Sequence, residues 1–314
     1  MYSIRRSVLI WGALALILAL VGCSGKEAIT PAAPPSGGNE LFPGLTFGDD
    51  TSFDLVTWNM QTFPKESQTP HYLAKALSAL DPDVAALQEI EDPTAFQAVL
   101  DELDGYTGHL APGSSRYMKL AFIYKTSSVS NVSFEELFTS ESRIFPRSPL
   151  LMRCDFQGTP LVIIDNHLKC CGDGTLDSSD DWDEENRRQQ ACELLAAYIN
   201  GNLPNERVIV VGDMNDYLDD AVQNNVFEAF LSDPIHFEFA DMAIATGAIS
   251  VPSYSLKGGG HLDHILITDE LFGAFAKSSS EVETIQPNKA LYGGSSEYLR
   301  YLSDHLPVGL RIEF

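Results

Sequence analysis

Residues Val208 to Asp216 read VIVVGDMND, and this stretch restricts the fold more than any other in the chain. Four β-branched residues in a row leave no polar face for solvent, so Val208–Val211 suits a strand covered on both sides. Gly212 ends the run and frees the backbone to turn. Asp213 and Asn215 are thereby delivered to the mouth of a sheet, where rigid elements can hold polar groups for chemistry. The same letters also fit a plain strand followed by an Asp/Asn turn, so the stretch needs support from the rest of the chain.

The N-terminus bears on compartment. Arg5 and Arg6 precede Val8–Val21, which is apolar apart from Gly12, and Leu20-Val21-Gly22-Cys23 follows. This looks like a bacterial lipoprotein signal over residues 1–22, with Cys23 as the lipidated first residue of the mature chain. The apolar run is short for a membrane span. An exported protein, lipid-anchored to a bacterial membrane and exposed outside the cytoplasm, is therefore expected. Residues 23–50, which include TPAAPPSGG, lack the apolar content to build a core and read as a flexible tether. Residues 51–314 are long enough for one large α/β domain.

The chain carries 20 Lys+Arg against 44 Asp+Glu, a formal charge of −24. Such a surface gains nothing from general attraction to a phosphate backbone, so action on a phosphodiester requires local cations or a bound metal. Lys169, Arg187 and Arg188 are the nearest candidates for that local charge, although the two arginines can equally pair with loop acids. Cys154, Cys170, Cys171 and Cys192 remain after Cys23. Export permits disulfides, and Cys170 or Cys171 bonded to Cys192 would pin a loop to the following helix. The adjacent pair lacks the CxxC spacing of a zinc site.

Along the chain, apolar strands repeatedly end in polar groups. Phe53–Trp58 leads to Asn59, and Val84–Leu87 leads to Gln88 and Glu89. A helix with Leu73, Ala76, Leu77 and Leu80 on one face lies between them. Leu150–Phe156 and Leu161–Asp165 read as a hairpin that ends at His167. The acidic loop 170–185 does not have EF-hand spacing and reads as solvated, with calcium a minor alternative. A helix over 187–200 buries Ala191, Leu194, Leu195 and Tyr198. Asp263 opens the strand Ile265–Thr268, and Asp304-His305 precedes the last strand, Val308–Phe314. Each polar residue alone fits a turn or cap; together they outline a site.

The segments TWNMQ, ALQEIED, NHLK, VVGDMND, HLDHILIT and LSDHLP stand in that order from Thr57 to Pro307. In this the chain resembles the endonuclease/exonuclease/phosphatase superfamily. The resemblance implies an α/β fold, a four-layer α/β/β/α sandwich of two mixed sheets with helices outside. It implies a metal site of Glu89, Asn59 and Asp304 and a catalytic set of His167, Asp213, Asn215, Asp263 and His305. Oxygen ligands without a cysteine cluster suit Mg²⁺ or Mn²⁺. Asp213 would orient or deprotonate water, and Asn215 would fix phosphate or water. Asp263 would hold His305 against the phosphate, and His167 would be a second phosphate ligand or the general acid. Arg147 in FPRSPL would brace the site. In the pancreatic DNase branch a glutamate supports the first histidine; the corresponding RYMKLAFIY here offers no acid.

The expected activity is metal-dependent phosphodiester hydrolysis, foremost of extracellular DNA or RNA. A phosphatase or phospholipid diesterase is the alternative, and a non-catalytic binding lipoprotein a lesser one. A monomer is expected. Tyr292–Tyr301 could offer aromatic contact to bases or lipid, or simply cover the core.

Overall fold

The computed structural model describes residues 41–113 and 117–314. The expected lipoprotein signal, Cys23 and the Pro/Gly-rich segment through residue 40 lie outside these. Among the described residues, twelve strands form two six-stranded sheets. They are β1 (Phe53–Phe63), β2 (Val84–Ile90), β3 (Tyr106–Leu110), β4 (Lys119–Lys125), β5 (Val129–Glu136) and β6 (Leu150–Phe156), then β7 (Thr159–His167), β8 (Val208–Asp213), β9 (Phe237–Phe239), β10 (Asp263–Thr268), β11 (Glu281–Thr284) and β12 (Val308–Ile312). The first sheet has the order β11-β12-β1-β2-β4-β3 and the second β5-β6-β7-β8-β10-β9. Both are mixed, because β1 runs parallel to β2 and β7 parallel to β8 while their other neighbours are antiparallel.

The parallel pairs follow from their crossovers. Helix α1 (Thr69–Leu80) joins β1 to β2, and β7 reaches β8 through the long helix later in the chain, Glu184–Asn202. After α2 (Pro93–Asp101) that long helix is α3, followed by α4 (Glu228–Leu231), α5 (Met242–Ala245), α6 (Asp269–Phe275) and α7 (Gly294–Tyr301).

Three apolar layers separate the four structural ones. Side-chain alternation assigns Phe53 and Leu55 of β1 to the core between the sheets, and Val56, Trp58 and Met60 to the core under α1 and α7. Likewise Ile209 and Val211 of β8 face the other sheet while Val208 and Val210 pack under α3. A strand covered on both faces needs no polar alternation, which explains the VIVV run.

The fold corrects three sequence expectations. Leu41–Asp50 is not tether: Phe42 and Phe47 are buried, and Phe47 packs over the Arg311 guanidinium. The domain therefore begins before residue 51. In α3, Leu194 and Tyr198 are only half-buried, whereas Arg187 and Arg188 are buried among polar partners. Finally, the four cysteines among the described residues are free: Cys192 is buried in α3 and Cys154 in the inter-sheet core, so neither Cys170 nor Cys171 is bonded to Cys192. Of the three tyrosines in Tyr292–Tyr301, only Tyr292 is exposed; Tyr298 stacks on Trp58 and Tyr301 on Tyr72, so the rings chiefly cover the core. Among the described residues no helix is long and apolar enough to cross a membrane.

Candidate active site

The site forms where β1, β2, β7 and β8 end and β10 begins. Strand register does much of the assembly. Asp213 pairs with His167 of β7 on one side and with Asp263 of β10 on the other. Three adjacent strands thus place three polar residues in one row. Gly212 makes the approach of β8 to β7 feasible: its φ is +131°, and a Cβ there would lie 1.9 Å from the Asn166 carbonyl oxygen.

The other sheet contributes through a local irregularity. The register between β1 and β2 shifts between Asn59 and Phe63, and that between β2 and β4 shifts between Leu87 and Ile90. Gln61, Thr62 and Glu89 all have positive φ. Such a bulge re-aims side chains at a sheet edge. Glu89 Oε2 accepts the Thr62 N–H at 2.7 Å, and its Oε1 accepts from Asn59 Nδ2 at 3.1 Å. The same amide nitrogen donates to Asp213 Oδ2 at 2.7 Å, so Asn59 ties the two sheets' carboxylates together. Its oxygen accepts the Gln61 N–H.

His305 lies before β12. Its Nδ1 is 2.7 Å from Asp263 Oδ2, while Nε2 points toward Asp213, 3.9 Å from Oδ2. Burial alone would lower the His305 pKa, but the Asp263 and Asp213 charges carry it up to about 10, so the ring is an imidazolium at neutral pH. The same attraction outweighs burial at Asp263 and holds its carboxyl below the usual range. Asp213 differs: burial dominates, and its pKa rises to about 6 despite His305. His167 Nε2 stands 3.6 Å from Asp213 Oδ2 and 3.8 Å from Glu89 Oε1. Burial, reinforced by the Arg147 and His305 charges, pushes its pKa well below the ordinary value and keeps it neutral. Its Nδ1 is buried without a partner, in keeping with the missing acid in RYMKLAFIY. Asn215 donates its backbone N–H to Asp213 Oδ1 at 3.1 Å and its side chain to the Leu168 carbonyl at 3.3 Å.

Asp304 Oδ2 accepts from Gln61 Nε2 at 2.8 Å and from the Tyr254 hydroxyl at 3.4 Å. Tyr254 also lies over the His305 ring, with centroids 4.7 Å apart. Lys65 reaches the Gln61 side-chain oxygen. Gln61, Lys65 and Tyr254 escaped the sequence reading. Gln61 lies in the quoted TWNMQ, but nothing in the sequence pairs it with Asp304. The predicted cations are engaged elsewhere. Arg188 pairs with Glu185 and Asp216 and donates to the Lys169 and Cys171 carbonyls. Arg187 donates to the Arg143 carbonyl, and Lys169 pairs with Glu184. Arg147 braces the Leu168 carbonyl, the role expected of it.

Glu89, Asp213 and Asp304 are thus gathered at one edge by amides, a hydroxyl and histidines. Among the described residues, no lysine or arginine forms an ion pair with any of them. Glu89 and Asp304, two carboxylates with no lysine or arginine paired to them among the described residues, fit a hard divalent ion held by oxygen. Asp213, Asp263 and His305 also present ligand atoms within 4.8 Å of one another. The hydrogen bond between Asp263 and His305 Nδ1 assigns that trio to proton-sharing.

A second buried trio, Asp241, His261 and His264, has similar spacing. His261 Nδ1 accepts the Ser253 N–H, so its proton resides on Nε2, 3.0 Å from Asp241 Oδ2. His264 Nε2 donates to the Asp216 carbonyl, and its Nδ1 lies 2.6 Å from the same Asp241 oxygen. With its lone pair committed, His261 cannot ligate a metal, and two N–H groups converge on one carboxylate. His261 and His264 are therefore buried structure. His71 and His236 are exposed and paired with acids, and His109 stacks on Phe134.

Solved structures share this architecture. TDP2 of D. rerio complexed with single strand DNA product superposes with a TM-score of 0.64 at 19% identity, over 84% of this chain and 100% of that one. The human Nocturnin catalytic domain with bound sulfate anion gives 0.56 at 19% identity, over 84% and 94%. An endonuclease/exonuclease/phosphatase from Bacteroides vulgatus gives 0.57 at 14% identity, over 84% and 99%. No curated protein matches the chain by sequence. The sequence matches the Endonuclease/Exonuclease/phosphatase family over residues 56–305, most of its length. The chain belongs to the endonuclease/exonuclease/phosphatase family.

Proposed function

We propose that this protein is a divalent-metal-dependent phosphodiester hydrolase acting on nucleic acid, exported and held at a bacterial membrane through lipidated Cys23. The observation that carries the reaction is the row His167–Asp213–Asp263 with His305 bound to Asp263. It joins a carboxylate with a pKa of about 6 to a fixed imidazolium. Asp213 is mostly ionised at neutral pH and basic enough to orient and deprotonate an attacking water. Asn59 Nδ2 and the Asn215 N–H hold that carboxylate in place from two sides. The His305 imidazolium supplies positive charge to the phosphoryl oxygens as charge builds in the transition state. Neutral His167 adds an uncharged N–H donor through Nε2, which favours the role of phosphate ligand over that of general acid.

Glu89 and Asp304 would hold the metal, with Asn59 orienting Glu89. A bound Mg²⁺ or Mn²⁺ supplies charge neutralisation for the phosphate and the leaving oxygen. The fold-mate crystallised with a single-strand DNA product supports a nucleic-acid substrate over a phospholipid. The test is a substrate panel with the purified protein: single- and double-stranded DNA, RNA, sphingomyelin, inositol phosphates and bis-p-nitrophenyl phosphate, each with Mg²⁺, Mn²⁺, Ca²⁺ or EDTA. Metal-dependent cleavage of DNA or RNA well above the other substrates is expected. Preference for sphingomyelin or an inositol phosphate would overturn the substrate assignment.

A further inference from the structure

The loop that leaves His167 carries two adjacent cysteines whose sulfurs face each other. Cys171 Sγ donates to Cys170 Sγ across 2.9 Å, a closer approach than ordinary sulfur contact. Cys171 is exposed and Cys170 half-exposed, so a small reagent can reach the pair. The loop is held on both sides of it. Arg188 Nη1 donates to the carbonyls of Lys169 and Cys171, at 2.7 and 2.8 Å, and Cys171 itself has a φ of +73°. Cys170 sits among cations: the Lys169 ammonium is 4.0 Å from its sulfur, and Arg147 and Arg187 both lie within electrostatic reach of it. The thiolate is the form of a cysteine that attacks a disulfide. The S–H of Cys171 gives that thiolate a donor as well.

We propose that Cys170 and Cys171 are a thiol–disulfide redox pair, closed to a vicinal disulfide by small-molecule disulfides. The Cys170 thiolate attacks one sulfur of the incoming disulfide, and one thiolate of the reagent leaves. Cys171 then loses its proton and attacks Cys170 Sγ, forming the intramolecular bond and expelling the second thiolate. The protein pair gives up two electrons and two protons, and the reagent is reduced to two thiols. The bond so formed is a labile one. Cα atoms on either side of a trans peptide are about 3.8 Å apart, whereas ordinary disulfides place theirs about 4.4–6.8 Å apart. A strained disulfide is more easily reduced, the property of reversible rather than structural bonds. Cys154 and Cys192, both buried, serve as internal controls.

The experiment equilibrates the folded full-length protein in graded ratios of glutathione disulfide to glutathione, quenches with acid, alkylates free thiols and maps peptides by mass. Expected is the loss of two alkylation sites and two hydrogens in the peptide holding Cys170 and Cys171, reversed when glutathione is restored. C170S and C171S should each lose ring closure, C171S retaining a single glutathione adduct on Cys170. The proposal is overturned if both thiols stay open to alkylation at every ratio. It is equally overturned if wild-type protein accumulates glutathione adducts without ring closure, or if the bond maps to Cys154 or Cys192.

Discussion

Replacing Asp241 is the most informative stability experiment, because one fully buried carboxylate faces three N–H groups. Oδ2 faces His264 Nδ1 at 2.6 Å and His261 Nε2 at 3.0 Å, and Oδ1 accepts the Ile265 N–H at 2.9 Å. In Asp241→Ala the buried His264 loses its counter-ion, and removing one member of a buried pair costs about 3–5 kcal/mol. For a domain of this size that corresponds to a melting temperature about 6–20 °C lower. Asp241→Asn keeps an oxygen for Ile265 and offers an N–H to neutral His264, but leaves a second N–H against the His261 donor. Its cost is about 1–3 kcal/mol. The electrostatic part has a defined pH window. Asp241 is held below its ordinary pKa, because the His264 charge outweighs burial, so its contribution is lost as pH falls through the folded value. His264 is raised, the Asp241 charge outweighing burial, so its contribution is lost as pH rises through the folded value. Between the unfolded values, about 4 and 6.5, both contributions are fully present. Urea unfolding at several pH values reads this out as a shift in midpoint at constant slope. Asp241→Ala within about 1 kcal/mol of wild type, well below the cost of a broken buried pair, would refute the reasoning. So would Asp241→Asn as harmful as Asp241→Ala.

Further expectations concern the catalytic row and the sheet beneath it. The rate profile in kcat/KM should rise through pH about 6 as Asp213 ionises and fall toward pH about 10 as His305 loses its proton; Asp263→Asn should move both limbs to lower pH, because the Asp263 charge raises both groups. Gly212→Ala should fail to fold, or lose about 2–6 kcal/mol in chemical denaturation, because the added methyl meets the Asn166 carbonyl and φ is strained. Asp165 is buried between the sheets, where burial raises its pKa well above the usual range and Gln88 Nε2 donates to it at 2.7 Å. A raised carboxyl loses stability as pH climbs from its unfolded value, so Asp165→Asn should be neutral or stabilising at pH 7 and relatively less favourable below pH about 4. Thermal melts across pH would contradict this if the asparagine variant were the less stable at pH 7.

The sequence carried the strand ends because burial on two faces leaves a plain apolar run, as in Val208–Val211 and Val84–Leu87. Asn59, Glu89, His167, Asp213, Asp263 and His305 were legible for the same reason: each stands where such a run stops or is about to start. The register that sets Asp213 between His167 and Asp263 was not legible, since pairing depends on crossovers and neighbours far away in sequence. Gln61 and Tyr254 act through contacts with Asp304 that no local pattern encodes. Asp241 lies in FEFADMA, where nothing nearby announces two histidine partners at positions 261 and 264. Phe42 and Phe47 looked like part of a tether because Pro and Gly dominate the preceding composition, yet two aromatic rings suffice to anchor that segment on the core.

The most direct test of the central claim is the hydrolysis rate of single-stranded DNA by wild type and Asp213→Asn, measured in EDTA and then across a Mg²⁺ titration. The account predicts no turnover in EDTA and full recovery with Mg²⁺ for wild type. It predicts a loss of about 10²–10⁴-fold for Asp213→Asn at saturating metal, with an unchanged circular dichroism spectrum. Turnover that survives EDTA, or an Asp213→Asn variant as fast as wild type, would contradict it.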